Sequence, residues 1–130
     1  MQQEKPIYHE LSYKICGVLF AVHNELGRFR NEKQYGDAVE NYFKLYEMKY
    51  ERELILPKSF EGESEGRNKV DFLVENKIVL ELKAKRLVDR IDYYQVKRYL
   101  TSLNKKLGLL VNFQDKFLRP KRILNSSARA

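Results

Sequence analysis

Apolar residues recur at two different periods along the chain, and the change of period predicts where helices give way to strands. Near the N-terminus they follow helical spacing from about Ile7 to Leu26, and the pattern stops at Gly27. Asn31 can cap a second helix, which is predicted to run to about Tyr50 with an apolar stripe of Tyr35, Val39, Tyr42, Phe43 and Tyr46. Two amphipathic helices are therefore predicted before the first strand.

Strand-like segments follow these helices. Residues 53–56 predict a first strand, and residues 57–68 form a polar segment with glycines, which is typical of a loop. Residues 70–74 and 78–83 alternate between apolar and polar side chains and predict the two strands of a hairpin.

The last third of the chain completes a layered fold. A third helix is predicted over about 89–104, and the near-continuous apolar run 107–113 is typical of a central strand covered on both faces. The basic tail 119–124 predicts a short edge strand. The predicted class is α/β, a small mixed sheet flanked by helices in the order ααβββαββ.

The hairpin is the most informative segment because Asp71, Glu81 and Lys83 lie within its apolar strands. Buried charges are costly unless they are paired or hold a metal. A three-residue loop would pair Val74 with Ile78 and set Asp71 across from Glu81, close enough to share a divalent cation, with Lys83 on the same face. A two-residue turn would put the acids on opposite faces. Alternatively, the Asp, Glu and Lys could form an ordinary cross-strand ion pair on a solvated strand face. The spacing alone leaves these alternatives open.

Composition restricts the class of protein. A chain of 130 residues is predicted to be one domain, over residues 1–130, and can bury roughly two thirds of its surface. Its single cysteine, Cys16, excludes a disulfide framework and a cysteine-based zinc site. The sequence shows neither a signal-peptide pattern nor an apolar run long enough for a membrane span, so we expect a cytoplasmic protein.

The net charge of +7 is unevenly distributed. Residues 1–82 carry 12 Lys and Arg against 15 Asp and Glu, whereas residues 83–130 carry 13 against 3. A basic half beside an acidic cluster suits a polyanion such as nucleic acid, although a generic basic surface would look the same. The predicted nucleic-acid contacts are Lys85, Arg86, Lys97, Arg98 and Arg122.

In order and type, these residues resemble the core of the PD-(D/E)XK nuclease superfamily, and more narrowly its GxxExxY family of small bacterial proteins. The resemblance covers about residues 16–124. Its motifs are Leu26-Gly27 with Glu32 and Tyr35, Val70-Asp71-Phe72-Leu73-Val74, Leu80-Glu81-Leu82-Lys83-Ala84, Gln95 with Tyr99-Leu100, Leu107-Gly108-Leu109-Leu110-Val111-Asn112-Phe113, and Lys121-Arg122-Ile123. The run 107–113 is the most specific of them. One position departs, because Phe29 stands where the name-giving glycine is expected.

The resemblance implies a set of site residues and a cofactor. Asp71, Glu81 and the Leu82 carbonyl would hold Mg²⁺ or Mn²⁺, with Glu32 as a ligand directly or through water. Lys83 would position a water molecule and stabilise the charge that grows on the phosphate. The implied catalytic residues are Asp71, Glu81, Lys83, Glu32 and Gln95, and the supporting residues are Tyr35 and Tyr99.

Two classes of function follow from these residues. The first is a Mg²⁺-dependent nuclease that acts on DNA or RNA, with DNA as the main expectation. The second is a catalytically silent nucleic-acid-binding module, or a protein-interaction domain that forms a homodimer or binds a partner protein. An acidic cluster repels phosphate, so a pure binder gains nothing from it. The acids and the lysine together therefore favour the enzyme.

Overall fold

The computed structural model describes residues 6–129, and over that range the chain forms three helices and five strands. In chain order they are α1 (His9–Leu26), α2 (Glu32–Leu45), β1 (Tyr50–Ile55), β2 (Lys69–Val74), β3 (Ile78–Lys83), α3 (Arg90–Leu103), β4 (Leu107–Asn112) and β5 (Lys121–Leu124). The predicted order ααβββαββ is confirmed. No helix within residues 6–129 is both long and apolar enough to cross a membrane.

The strands form one mixed sheet in the order β1-β2-β3-β4-β5. Strands β1, β2 and β3 are antiparallel neighbours, β3 and β4 run parallel, and β5 pairs antiparallel with β4 at the edge. The parallel pair requires a crossover, and α3 provides it. The carboxyl ends of β3 and β4 therefore meet at the same edge of the sheet.

Helices cover both faces of the sheet, and for this reason β4 is buried along its whole length. Helices α1 and α2 pack on one face around a cluster that includes Ile15, Leu19, Tyr35, Phe43, Phe72, Leu80 and Leu109. Helix α3 packs on the other face around Val79, Val96, Leu100 and Leu110. A Cβ on Gly108 would lie 2.6 Å from Cγ1 of Val96. This glycine therefore lets α3 lie close against β4.

The β2–β3 hairpin has the register that a three-residue loop requires. Val74 lies opposite Ile78 in the antiparallel pair, as the three-residue loop predicts and the two-residue turn does not. Glu75 and Asn76 take up left-handed conformations with φ of 52° and 54°. Asn adopts this region more readily than most residues, and a loop of this length needs it. The odd-length loop is therefore confirmed.

The second helix is shorter than predicted. It ends at Leu45 rather than near Tyr50, and Glu47 follows in a left-handed conformation with φ of 55°. Tyr50 instead opens β1, three residues earlier than predicted, and its ring lies 5.6 Å from that of Phe43. Tyr46 and Tyr50 continue the four-residue spacing of the apolar stripe. The spacing of apolar residues alone therefore could not locate the end of this helix.

Candidate active site

The backbone pairing of β2 and β3 stops at the two acids. The last paired residues are Phe72 and Leu80, one step before Asp71 and Glu81. Beyond them, side chains take over: the Asp71 amide donates to Oε1 of Glu81 at 2.9 Å, and the Leu82 amide donates to Oδ2 of Asp71 at 2.8 Å. Each carboxylate thus bonds to the backbone of the opposite strand, and the two acids hold the separated strands together.

Strand β1 is also irregular at this level. Its pairs with β2 join Arg52 to Phe72 and Leu54 to Val70, and they skip Glu53 between them. Glu53 has a left-handed φ of 53°, a conformation that costs a non-glycine residue free energy. Asp71 therefore lies where the ladders on both sides of β2 are interrupted.

Both acids hold their protons more tightly than usual. Burial raises the pKa of Glu81 well above its usual range, and the charges of Asp71 and Glu32 raise it further. Burial also raises the pKa of Asp71, and so does the charge of Glu32, although the Leu82 amide, Lys83 and a hydrogen bond with Glu81 oppose these effects. Glu81 is only 3% exposed. Negative charge is therefore poorly compensated here by the protein itself.

Lys83 faces the α3 side of the site. Its Nζ lies 3.0 Å from Oε1 of Gln95 and 3.8 Å from Oδ1 of Asp92. Asp92 in turn lies 2.7 Å from Nζ of Lys85. Burial opposes ionisation of Asp92, but the hydrogen bond from Lys85 and its charge keep the pKa of Asp92 below its usual value. Lys83 and Gln95, both among the implied catalytic residues, are thus in direct contact.

Glu32 is the first residue of α2, and it borders the acidic pair from the opposite helical layer. Asn31 caps the helix reciprocally with Gln34: the Gln34 amide donates to Asn31 Oδ1 at 2.8 Å, and the Asn31 amide donates to Gln34 Oε1 at 3.0 Å. Glu32 is exposed, and it lines a small pocket of about 50 Å³ together with Asp71 and Leu82. The cap therefore fixes an acid at the mouth of the site.

Tyr35 anchors the loop that leads into α2. Its hydroxyl donates to the Gly27 carbonyl, and its ring stacks on Phe113 with centroids 4.2 Å apart. Phe29, at the position where the resemblance expects glycine, is 81% exposed and therefore does not crowd this turn. Gly27 supplies the left-handed residue of the loop, with φ of 74°. Tyr35 thus supports the backbone just before Glu32, consistent with its predicted supporting position.

Tyr99 lies one helical turn after Gln95 on α3. It is 4% exposed, and burial together with the nearby charge of Glu81 raises the pKa of Tyr99 to about 12. Its hydroxyl therefore stays protonated through the neutral range. Gln95 and Tyr99 therefore share one face of α3, the face directed toward Lys83 and the acidic pair.

Three of the five basic residues predicted to contact nucleic acid are exposed, although the ammonium of Lys85 is also paired with Asp92. Lys85 lies beside the site through its contact with Asp92, and the exposed Arg86 follows it. Arg98 is exposed on α3, next to Tyr99.

The structure places the other two basic residues in internal contacts. Nζ of Lys97 donates to the Leu124 carbonyl at 2.7 Å. Arg122 donates to Oγ of Ser12 at 2.9 Å and to the Ile7 carbonyl at 2.6 Å. These bonds join α3 to β5 and β5 to α1, so the structure does not bring Arg122 to the acidic site.

Sequence reasoning missed two buried polar residues that organise the site. Asp92 contacts both lysines, and the spacing Asp89-x-x-Asp92, a capping box at the start of α3, was the available signal. Asn112 ends the apolar run of β4 and bonds both backbone groups of Lys85, donating to its carbonyl at 2.7 Å and accepting from its amide at 3.1 Å. A polar residue closing an apolar strand was its only signal.

The donor set fits a Mg²⁺ or Mn²⁺ ion. Within residues 6–129, no three Asp, Glu, His or Cys side chains lie close enough together to hold a metal by themselves. Mg²⁺ commonly uses one or two carboxylates and keeps several waters, so Asp71, Glu81 and the Leu82 carbonyl are a sufficient protein contribution. Buried Glu81 and half-buried Asp71 both have raised pKa values, and a bound cation would stabilise their ionised forms. Glu32 is then better suited to contact through water than to direct ligation.

Comparison with known proteins identifies a matching protein family. A family model described as PD-(D/E)XK nuclease superfamily matches residues 9–123. No curated protein and no solved structure gave a significant match.

Proposed function

Because the chain belongs to the PD-(D/E)XK nuclease superfamily, we propose that it hydrolyses phosphodiester bonds of DNA with Mg²⁺ or Mn²⁺ as cofactor. The observation that supports this most strongly is the buried contact of Asp71 with Glu81, at a gap in the sheet that Lys83 borders. Two adjacent acids repel each other when both are ionised, and burial of Glu81 adds to the cost of its charge. Their placement is accounted for by a cation and the phosphate that the cation binds.

Asp71, Glu81 and the Leu82 carbonyl would hold the ion, and Glu32 would contact it through water. When bound, the ion supplies a Lewis acid for the phosphoryl oxygen and lowers the pKa of a water molecule. The backbone amides of Asp71 and Leu82 fix one oxygen of each carboxylate. The chain therefore preorganises its two acids before any ion arrives.

Lys83 would stabilise the negative charge that develops on the phosphate. Gln95 holds its ammonium at 3.0 Å, and Asp92 lies at 3.8 Å, which is too long for a tight ion pair. Lys85 takes the closer position against Asp92, and Lys83 is thereby left with a neutral partner. An ammonium held in this way keeps its charge available for substrate.

The polymer is proposed to be a nucleic acid on electrostatic grounds, with DNA as the main expectation. The excess of basic residues after position 82 lies in the same part of the chain as Lys83 and α3, and phosphate contacts supply most of the affinity for nucleic acid. The narrower GxxExxY assignment, the single domain over residues 1–130, the cytoplasmic location and a homodimer or partner protein stay predictions.

The test is a cleavage assay on plasmid, linear duplex and single-stranded DNA, and on RNA, with Mg²⁺, Mn²⁺ or EDTA. We expect cleavage only with a metal, and a loss of at least about 100-fold in Lys83→Ala. Lys83→Ala should keep the Mg²⁺-induced rise in melting temperature because Lys83 is not a ligand. Asp71→Asn should lose both cleavage and that rise.

Lys44→Ala is the matched control, since it removes the same charge from the exposed last turn of α2. It should cleave like the parent. If no metal produces cleavage and Mg²⁺ leaves the melting temperature unchanged, the acidic cluster is structural. Retained nucleic-acid binding under those conditions would favour the silent binding module.

A further inference from the structure

A second concave surface lies beside the acidic site, between α3 and the loop that joins β1 to β2. This surface, here called the α3 groove, has a volume of about 490 Å³, and its walls include Leu56, Pro57, Tyr94 and Tyr99. Pockets that hold small organic groups commonly measure about 300–1,000 Å³. The α3 groove is therefore large enough for a planar ring the size of a nucleobase.

The groove is apolar in its walls and positive at its rim. Lys97 and Arg98 line it, and within the described part of the chain no carboxylate does. The ammonium of Lys97 is turned toward the Leu124 carbonyl, so its aliphatic stem lines the groove, whereas Arg98 is exposed. An apolar cleft with a cationic rim is complementary to a ligand in which a planar apolar ring is linked to a negatively charged group.

Tyr94 offers the stacking surface. Its side chain is 55% exposed although it is a large aromatic residue, and the ring of Tyr93 supports it edge-on with centroids 5.4 Å apart. Unpaired bases stack on exposed aromatic side chains of this kind, whatever their identity, because every base has a π face. Paired bases are already stacked and hydrogen-bonded, so they cannot enter a cleft.

The far wall of the groove is held in place before any ligand binds. The Leu56 amide donates to the Asn68 carbonyl at 2.9 Å, which closes the base of the loop. The Glu63 carboxylate accepts from the Ser59 amide at 2.8 Å and from Nδ2 of Asn68 at 2.9 Å. A preformed wall spares the free energy of ordering that loop on binding.

The α3 groove and the acidic site share a residue. Tyr99 lines the groove, and it lies close enough to Glu81 and Asp71 for their charges to act on it. A strand whose base enters the groove would therefore carry a neighbouring phosphate to the gap between β2 and β3.

From this geometry we infer that the α3 groove binds an unpaired nucleobase of a single-stranded nucleic acid, with the base on Tyr94 and the adjacent phosphate on Arg98. The inference rests on the proposed nuclease function and deepens it, because it names the substrate class as single-stranded or locally unpaired nucleic acid. Blunt duplex would bind through its phosphates alone.

The test measures binding in EDTA, where no cleavage takes place. The probes are a single-stranded oligodeoxynucleotide that contains 2-aminopurine and a blunt duplex of the same sequence. We expect Tyr94→Ala to weaken single-strand binding about tenfold and to abolish the quenching of 2-aminopurine, with less than about a twofold effect on the duplex. Tyr94→Phe should behave like the parent, since it keeps the ring.

Tyr13→Ala is the matched control, because Tyr13 is 76% exposed on α1, in the layer on the opposite face of the sheet. Equal losses for Tyr94→Ala and Tyr13→Ala, or equal losses on single strand and duplex, would overturn the inference. So would a parent that binds no single strand.

If the Tyr94 effects hold while no substrate is cleaved, the groove inference stands and the nuclease proposal fails. If the parent cleaves but Tyr94→Ala binds single strand as the parent does, the nuclease proposal stands and the groove inference fails.

Discussion

The proposed metal site needs Asp71 and Glu81 ionised, but ionisation of these two acids lowers the stability of the fold. Both are acids with pKa values raised by burial, so the folded chain binds their protons more tightly than the unfolded chain does. Their contribution to stability is full below the ordinary carboxylate pKa and is lost as the pH rises through the raised values. Each unit of difference costs about 1.4 kcal/mol once the pH exceeds both values.

Glu81→Gln should remove most of this pH dependence. In EDTA we expect the free energy of unfolding of the parent to fall as the pH rises above the ordinary carboxylate pKa, and that of Glu81→Gln to fall less, because glutamine has no proton to lose. Its amide oxygen can still accept from the Asp71 amide. Chemical denaturation at a series of pH values gives the two curves.

Glu61→Gln serves as the control because Glu61 is exposed in the loop between β1 and β2. It should follow the parent at every pH. Parallel curves for the parent and Glu81→Gln would mean that Glu81 is already ionised without cost.

At the scale of elements, the important feature is the interrupted hairpin. Beyond the pair of Phe72 and Leu80, hydrogen bonds from backbone to side chain replace those of the ladder. The amide of Leu82 is buried, and its acceptor is the carboxylate of Asp71. An unsatisfied buried amide costs about 1–3 kcal/mol, so the carboxylate has a structural task as well as its proposed chemical one.

Two substitutions of Asp71 separate these tasks. Asp71→Asn and Asp71→Ala both remove the charge, but only asparagine keeps an oxygen for the Leu82 amide. We expect Asp71→Ala to be less stable than Asp71→Asn by about 1–3 kcal/mol in EDTA, measured by chemical denaturation. Equal stability would show that water or a shift of β3 satisfies the amide without the side chain.

Much of this element could be predicted from the sequence. The alternation of residues 70–74 and 78–83 predicted the hairpin and two candidate loops, and the structure has the three-residue loop, with Asn76 in a left-handed conformation. The end of α2 could not be predicted, because Tyr46 and Tyr50 fit a helical stripe as well as they fit a turn and a strand. That boundary depends on packing of the Tyr50 ring against distant aromatic residues.

The candidate site was predictable to a similar extent. Asp71, Glu81 and Lys83 were identifiable because charge inside apolar strands is rare. Asp92 was not, since an acid in the first turn of a helix is an ordinary capping residue. Nor does a count of basic residues reveal which of them bind the protein itself, as Lys97 and Arg122 do.

Across the whole molecule, basic side chains divide into those that join elements and those that face solvent. Arg122 connects β5 to α1 through Ser12 and Ile7, whereas Arg98 lies exposed at the α3 groove. Both contribute equally to the net charge of +7. Net charge therefore describes the attraction of the chain for polyanions without locating the surface that binds them.

Arg98→Ala should impair the binding of DNA, whereas Arg122→Ala should impair the stability of the fold. We expect Arg98→Ala to weaken binding of single-stranded DNA and to reduce the slope of log affinity against log salt by about 0.7, with an unchanged melting temperature. Arg122→Ala should lower the stability by about 1 kcal/mol and leave that slope nearly unchanged. Titrations at several salt concentrations and thermal melts in EDTA measure both. Identical salt slopes for the two variants would show that no local surface selects the ligand.

The repulsion between Asp71 and Glu81 also affects which substitutions the fold tolerates during evolution. A chain with amides in place of Asp71 and Glu81 would keep the hydrogen bonds of the gap and escape the repulsion, so folding alone favours their replacement. Mutation under selection for a stable fold alone would soon silence the site without disturbing the sheet. Inactive relatives of such a fold should therefore arise easily, by substitutions that leave the sheet intact.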